Sequence, residues 1–160
     1  MVTGDKLSIY LNDHLAGSTT GVELVRRSRA SNQGTPLGDF LERLTREIEE
    51  DRETLKSLMQ ELGVRPDPLK AYGAWAMEKV GRLKLNGQLT GYSPLSRLVE
   101  LEGLELGITG KRAMWVALED VMGTDVPGVD FGELRRRAER QAAEVGEYRL
   151  EAAKAALERR

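Results

Sequence analysis

The chain has 160 residues, 40% hydrophobic and 31% charged, with 24 basic against 26 acidic side chains and no cysteine. That balance describes one folded, water-soluble domain, 1–160, and it excludes disulfides, thiolate metal sites and cysteine nucleophiles. A formal net charge of −2 gives no field to draw in nucleic acid.

The N-terminus, Met1 to Lys6, has no basic start followed by an apolar run, so no signal peptide is expected. No apolar stretch approaches the ~20 residues that span a bilayer. The expected compartment is the cytoplasm, with no membrane and no nucleic acid as partner. The basic runs Arg135-Arg136-Arg137 and Arg159-Arg160 have Glu133, Glu139 and Glu158 beside them and read as solvated helix faces.

Helix boundaries are well marked. Thr3 or Asp5 can cap a first helix over 4–32, which Gly34 closes. Thr35-Pro36 opens a second helix over 36–62, stopped by Gly63. Asp67-Pro68 opens a shorter third over 68–86, stopped by Asn86-Gly87. Ser93-Pro94 opens a fourth over 94–122, stopped by Gly123. Asp130 with Glu133 three residues on makes a capping box for a last helix over 130–158. A capping side chain before proline suits a helix start, because proline has no N–H to satisfy there; glycine takes the left-handed turn that ends a helix. No strand pattern and no long-period repeat occur.

The apolar phase supports a bundle. In the second helix, steps of four and three pick out Leu37, Leu41, Leu44, Ile48, Asp51, Leu55, Leu58 and Leu62. The last helix repeats the pattern from Phe131 through Leu134, Ala138, Gln141, Val145 and Tyr148 to Ala152 and Ala155. Such seams fit near-parallel helix packing. The fourth helix carries a broad face from Leu98 to Met122 that includes Ile108 and Trp115; the first has Leu7, Leu11, Val22 and Val25 with small residues between.

The connections differ in length. Short gaps at 33–35 and 123–129 join antiparallel neighbours. The segment 63–93 is long enough, with its own helix of roughly 28 Å, to return the chain along the whole bundle. An all-α, up-down-down-up bundle with one long crossover follows. In helix lengths, single long connection and compact size the chain resembles the ferritin-like superfamily. That resemblance implies the four-helix fold, and in di-iron members one Glu on each of two helices and Glu-x-x-His on the other two.

Here the ligand pattern fails. The single histidine, His14, has Leu11 three residues before it. The inward pair of the second helix is Ile48 and Asp51, and that of the last is Gln141 and Val145. Glu47 with Glu50 and Glu144 with Glu147 have the spacing but lie off the seams, while Glu102 and Glu105 border the apolar face of the fourth. No metal ligand set and no cofactor are therefore expected.

Asp51 interrupts an apolar seam, and a buried carboxylate needs a partner or a proton. His14 sits mid-helix on the first seam. The expectation is a buried polar cluster of His14 and Asp51, joined by Glu105 and Arg112, serving as a register-fixing pair or a small ligand site. Gly17 and Gly21 in the first helix, and Gly103, Gly107 and Gly110 in the fourth, point to close backbone approach, with a glycine-lined gap that admits a ligand as the alternative. Gly107-x-x-Gly110-Lys111 lacks phosphate-loop spacing. Ser18, His14 and Asp51 have no nucleophile elbow or oxyanion donors around them. Tyr72, Trp75 and Met77 form an apolar set that either docks the crossover or makes a homodimer contact. Two function classes stand: a non-catalytic ferritin-like module for a ligand or protein partner, and a metal-dependent oxidase or metal-handling protein with a non-standard ligand set.

Overall fold

The computed structural model describes residues 4–68 and 91–158. Four helices and no strand occur among the described residues: α1 Gly4–Ser31, α2 Pro36–Glu61, α3 Pro94–Met122 and α4 Phe131–Leu157. They are the four long helices read from the sequence, within a residue or two at each end. The short helix over 68–86 past its first residue, the Tyr72, Trp75 and Met77 set and the homodimer contact built on it lie outside the described residues.

The expected caps form. The Thr35 hydroxyl accepts from Gly38 N at 3.1 Å, Ser93 from Ser96 N at 3.0 Å and Asp130 from Glu133 N at 2.8 Å. Each satisfies one of the donors a helix start leaves orphaned. Gly34 and Gly63 take positive φ, 74° and 67°, the left-handed stop that glycine accepts without steric strain.

The helices form a four-helix bundle in which α1 packs on α2 and α3, and α4 packs on α3 and α2. Their seams fill two apolar clusters. One holds Val25, Leu41, Leu44, Leu101, Leu104 and Val145. The other holds Leu11, Leu55, Leu58, Trp115, Leu118 and Phe131. The seams of α2 and α4 are buried along most of their length, but Leu62 and Ala155 at their ends are exposed.

At the turn between α1 and α2 the backbones meet closely. A Cβ on Gly38 would lie 2.1 Å from the Asn32 carbonyl oxygen. The Thr35 hydroxyl also donates to that carbonyl at 2.7 Å, which fixes the corner. Gly38→Ala is therefore expected to cost about 1–3 kcal/mol through forced backbone displacement. Gly107→Ala, where a Cβ meets nothing within 4 Å, is expected to gain about 1 kcal/mol of helix propensity. Urea unfolding followed by circular dichroism measures both; a neutral Gly38→Ala would mean the corner relaxes freely.

Candidate functional site: a cavity beside a buried ion-pair network

Asp51, on the α2 seam, is 2% exposed. A carboxylate there requires compensation, and two cations supply it. Lys111 of α3 donates from Nζ to Asp51 Oδ2. Arg137 of α4 brings Nη2 to 2.9 Å from Asp51 Oδ1, an ion-pair contact without hydrogen-bond alignment. The network continues outward. Lys111 Nζ donates to Gln141 Oε1 at 2.6 Å, and Gln141 Nε2 donates to Glu47 Oε2 at 2.8 Å. Arg137 Nη1 donates to Glu50 at 2.8 Å. One carboxylate thus ties three helices at mid-bundle.

Lys111 retains 16% side-chain exposure. Burial pushes its pKa down, opposed by the charge and hydrogen bond of Asp51, with Arg137 adding a smaller downward push and Glu47 a smaller upward one.

The expected cluster is recomposed. His14 and Asp51 line the same cavity, but the ion-pair partners of Asp51 are Lys111 and Arg137. His14 instead packs its ring edge-on to Tyr10, centroids 4.7 Å apart. Glu105 pairs with Arg149 and Arg112 with Glu139 at 2.9 Å, both between α3 and α4. The reason is phase: 105 and 112 are one seven-residue step apart and share the α4-facing side, whereas 104, 108, 111 and 115 share the interior side. Arg137, read as part of a solvated run, turns inward, and Glu133 pairs with Arg136 and Arg140 in its place. Glu47 and Glu50, read as off-seam, are the outer acceptors of the network. Among the described residues no group of three His, Asp or Glu is placed to hold a metal ion.

Between α1 and α3, with α2 behind them, lies a cavity of about 420 Å³. Asp51, Lys111, His14 and Arg52 are in its wall, with an otherwise mostly apolar surface that includes Leu55 and Trp115. Its width comes from glycine. Leu24 lies 3.0 Å from where a Gly103 Cβ would sit, and Arg27 bonds Glu100 at 3.0 Å, which sets the pairing of α1 with α3. Continued along both helices, that pairing brings Gly17 level with Gly110, and Gly21 near Gly107. A Cβ on any of those four meets nothing within 4 Å. Of these five glycines, Gly103 alone is closely approached, by the Leu24 side chain; the other four leave space.

A second polar cluster, not anticipated from the sequence, closes one end. Glu100 is 5% exposed and accepts from Arg27 Nε and Tyr92 Oη, each at 3.0 Å. Asn32 donates to Tyr92 Oη at 2.9 Å and accepts from Arg97 at 3.0 Å. Burial first, then the neighbouring Glu100 charge, raises the Tyr92 pKa against the hydrogen bond from Asn32. The signal available was the position of Glu100 one turn before the seam residue Leu104. At the other end Asn12, 5% exposed, bonds the Arg65 carbonyl at 3.1 Å and the Asp67 N–H at 2.7 Å.

Two predictions follow from these charges. Asp51→Ala leaves two inward cations facing each other and is expected to cost about 3–5 kcal/mol; Asp51→Leu combined with Lys111→Met is expected to recover most of it. Urea titrations of the set check this, and equal losses in the single and double variants would mean Asp51 contributes no pairing. Burial lowers the His14 pKa from 6.5, with Asp13 opposing. Below about pH 6.5 the unfolded chain takes up that proton before the folded one, so stability falls as pH falls through the window beneath 6.5. His14→Gln is expected to flatten that part of the stability profile.

Comparison with protein-family models, with curated proteins and with solved structures finds no match to this chain.

Proposed function

We propose that this protein is a non-catalytic, ferritin-like helical bundle that binds a small molecule in the cavity between α1 and α3. The observation that carries this reading is the glycine-opened space. Each helix-interior glycine is disfavoured by about 1 kcal/mol relative to alanine, and at Gly17, Gly21, Gly107 and Gly110 no close contact is gained in exchange. A partly enclosed, mostly apolar volume with a few convergent polar groups is the form small-molecule sites take.

The polar groups of the wall favour binding over turnover. Asp51 is already engaged by two cations, so its carboxylate is neither a free base nor an open metal ligand. That pairing also weighs against the metal-dependent alternative, which needs His14, Asp51, Glu105 and a carboxylate of the last helix to converge.

The ferritin-like, up-down-down-up reading has its own support. The start of α2 shares a cluster with the start of α3, through Leu41 and Leu101, and their later turns share the other, through Leu58 and Leu118. The described chain leaves beside Asn12 and returns beside Asn32, opposite ends of α1. Because the chain has no cysteine, spin labels are readily placed. Labels at 42 and 95 are expected to lie closer than labels at 42 and 116; the reverse order would establish a simple up-and-down bundle.

The ligand reading is tested with N-phenyl-1-naphthylamine, which fluoresces in apolar surroundings. Saturable enhancement is expected, with loss of at least about tenfold in affinity in Gly21→Leu/Gly110→Leu, a pair that fills the space while keeping good helix formers. No saturable binding, or binding indifferent to the filled cavity, would remove the reading.

A further inference from the structure

The cavity is long and thin. Its wall runs along α1 from Asp13 to Leu24 and along α3 from Gly103 to Trp115. Leu24 stands against Gly103, and Gly17 is level with Gly110, so the two stretches overlap over roughly 17 Å at 1.5 Å per residue. Spread over that length, about 420 Å³ leaves a slot of about 25 Å² in section. One extended alkyl chain passes through such a section. A globular cage of the same carbon number does not.

The charged groups of the wall are already engaged. Asp51 and Lys111 pair with each other, and Asp51 also with Arg137. Arg52 donates to Thr19 at 3.2 Å and lies 3.6 Å from Glu53. Asp13 is not free either, and burial, opposed by Asp13, pushes His14 toward its neutral form. A carboxylate or ammonium entering the slot would give up its water and find a counter-charge only by breaking one of these pairs. What the slot offers without that cost is aliphatic surface, from Leu24, Ile48, Leu55 and Ile108.

We infer that the cavity takes an uncharged molecule built on one extended alkyl chain, lying along the α1–α3 groove. This rests on the cavity being a ligand site.

The test is calorimetric titration of the full-length protein with 1-alkanols and three comparators. 1-Decanol carries the chain without charge. Decanoate and decylammonium carry it with a negative and a positive head, and 1-adamantanol packs the same number of carbons into a cage. Affinity is expected to rise about fourfold per methylene from 1-hexanol to 1-decanol, the gain that burying each CH₂ brings. 1-Decanol is expected to bind at least about tenfold more tightly than each comparator. Gly107→Leu, with its helical circular dichroism retained, is expected to end the rise at a shorter chain, because it blocks the slot part-way along. No rise with chain length, or equal affinity for 1-decanol and 1-adamantanol, would overturn the alkyl-chain assignment and leave the ligand reading standing. Tightest binding by decanoate or decylammonium would overturn neutrality. Alkanols that fail to bind while N-phenyl-1-naphthylamine binds would sink the inference alone; failure of both would remove the ligand reading with it.

Discussion

A carboxylate placed in the middle of an apolar seam constrains everything around it. Asp51 must be compensated, and the bundle does so by bringing Lys111 from α3 and Arg137 from α4 to the same side chain. Because those two helices come from different parts of the chain, the compensation fixes how three helices slide against one another. Apolar seams alone specify this weakly, since a leucine stripe tolerates a shift of one turn. A buried charge does not, because a one-turn slip of about 5.4 Å would strand it. Asp51 is thus worth more as a specifier of register than as a source of net stability.

α1 takes no part in that network. Its own polar contacts run from Asn12, on the backbone of Arg65 and Asp67, through Thr19 with Arg52 and Arg26 with Glu49 of α2, to Arg27 and Asn32 at the Glu100 cluster. Between those anchors it faces α3 across glycine. The division of labour is physical. Polar contacts tie α1 to α2 and to the Glu100 cluster, α2 backs the cavity with Ile48, Asp51, Arg52 and Leu55, and the middle of the α1–α3 contact is released from the packing demands that fill the rest of the interior.

The four long helices and their caps were legible in the sequence because capping and termination are local chemistry: Thr35, Ser93 and Asp130 act on N–H groups three residues away. The buried character of Asp51 and Gln141 was legible from phase alone. Their partners were not. A lysine and an arginine on amphipathic helices look solvated in one dimension, and only the rotation of α3 and α4 about their axes decides that Lys111 and Arg137 turn inward while Arg112 turns out. The same limit hid the gap. Five glycines announce that two backbones need room, but whether the room is closed by contact, as at Gly103, or left open, as at Gly17 and Gly107, depends on how far apart the neighbouring side chains hold the helices.

The open glycines also set a tension for anyone who engineers or evolves this protein. Sites at which a methyl group improves helix propensity without a clash are ordinarily the first to be improved in a search for thermal robustness. Here those sites are the cavity wall. A thermostability screen would fill the space one side chain at a time, and the variants it ranked highest would be the ones with the least room for a guest.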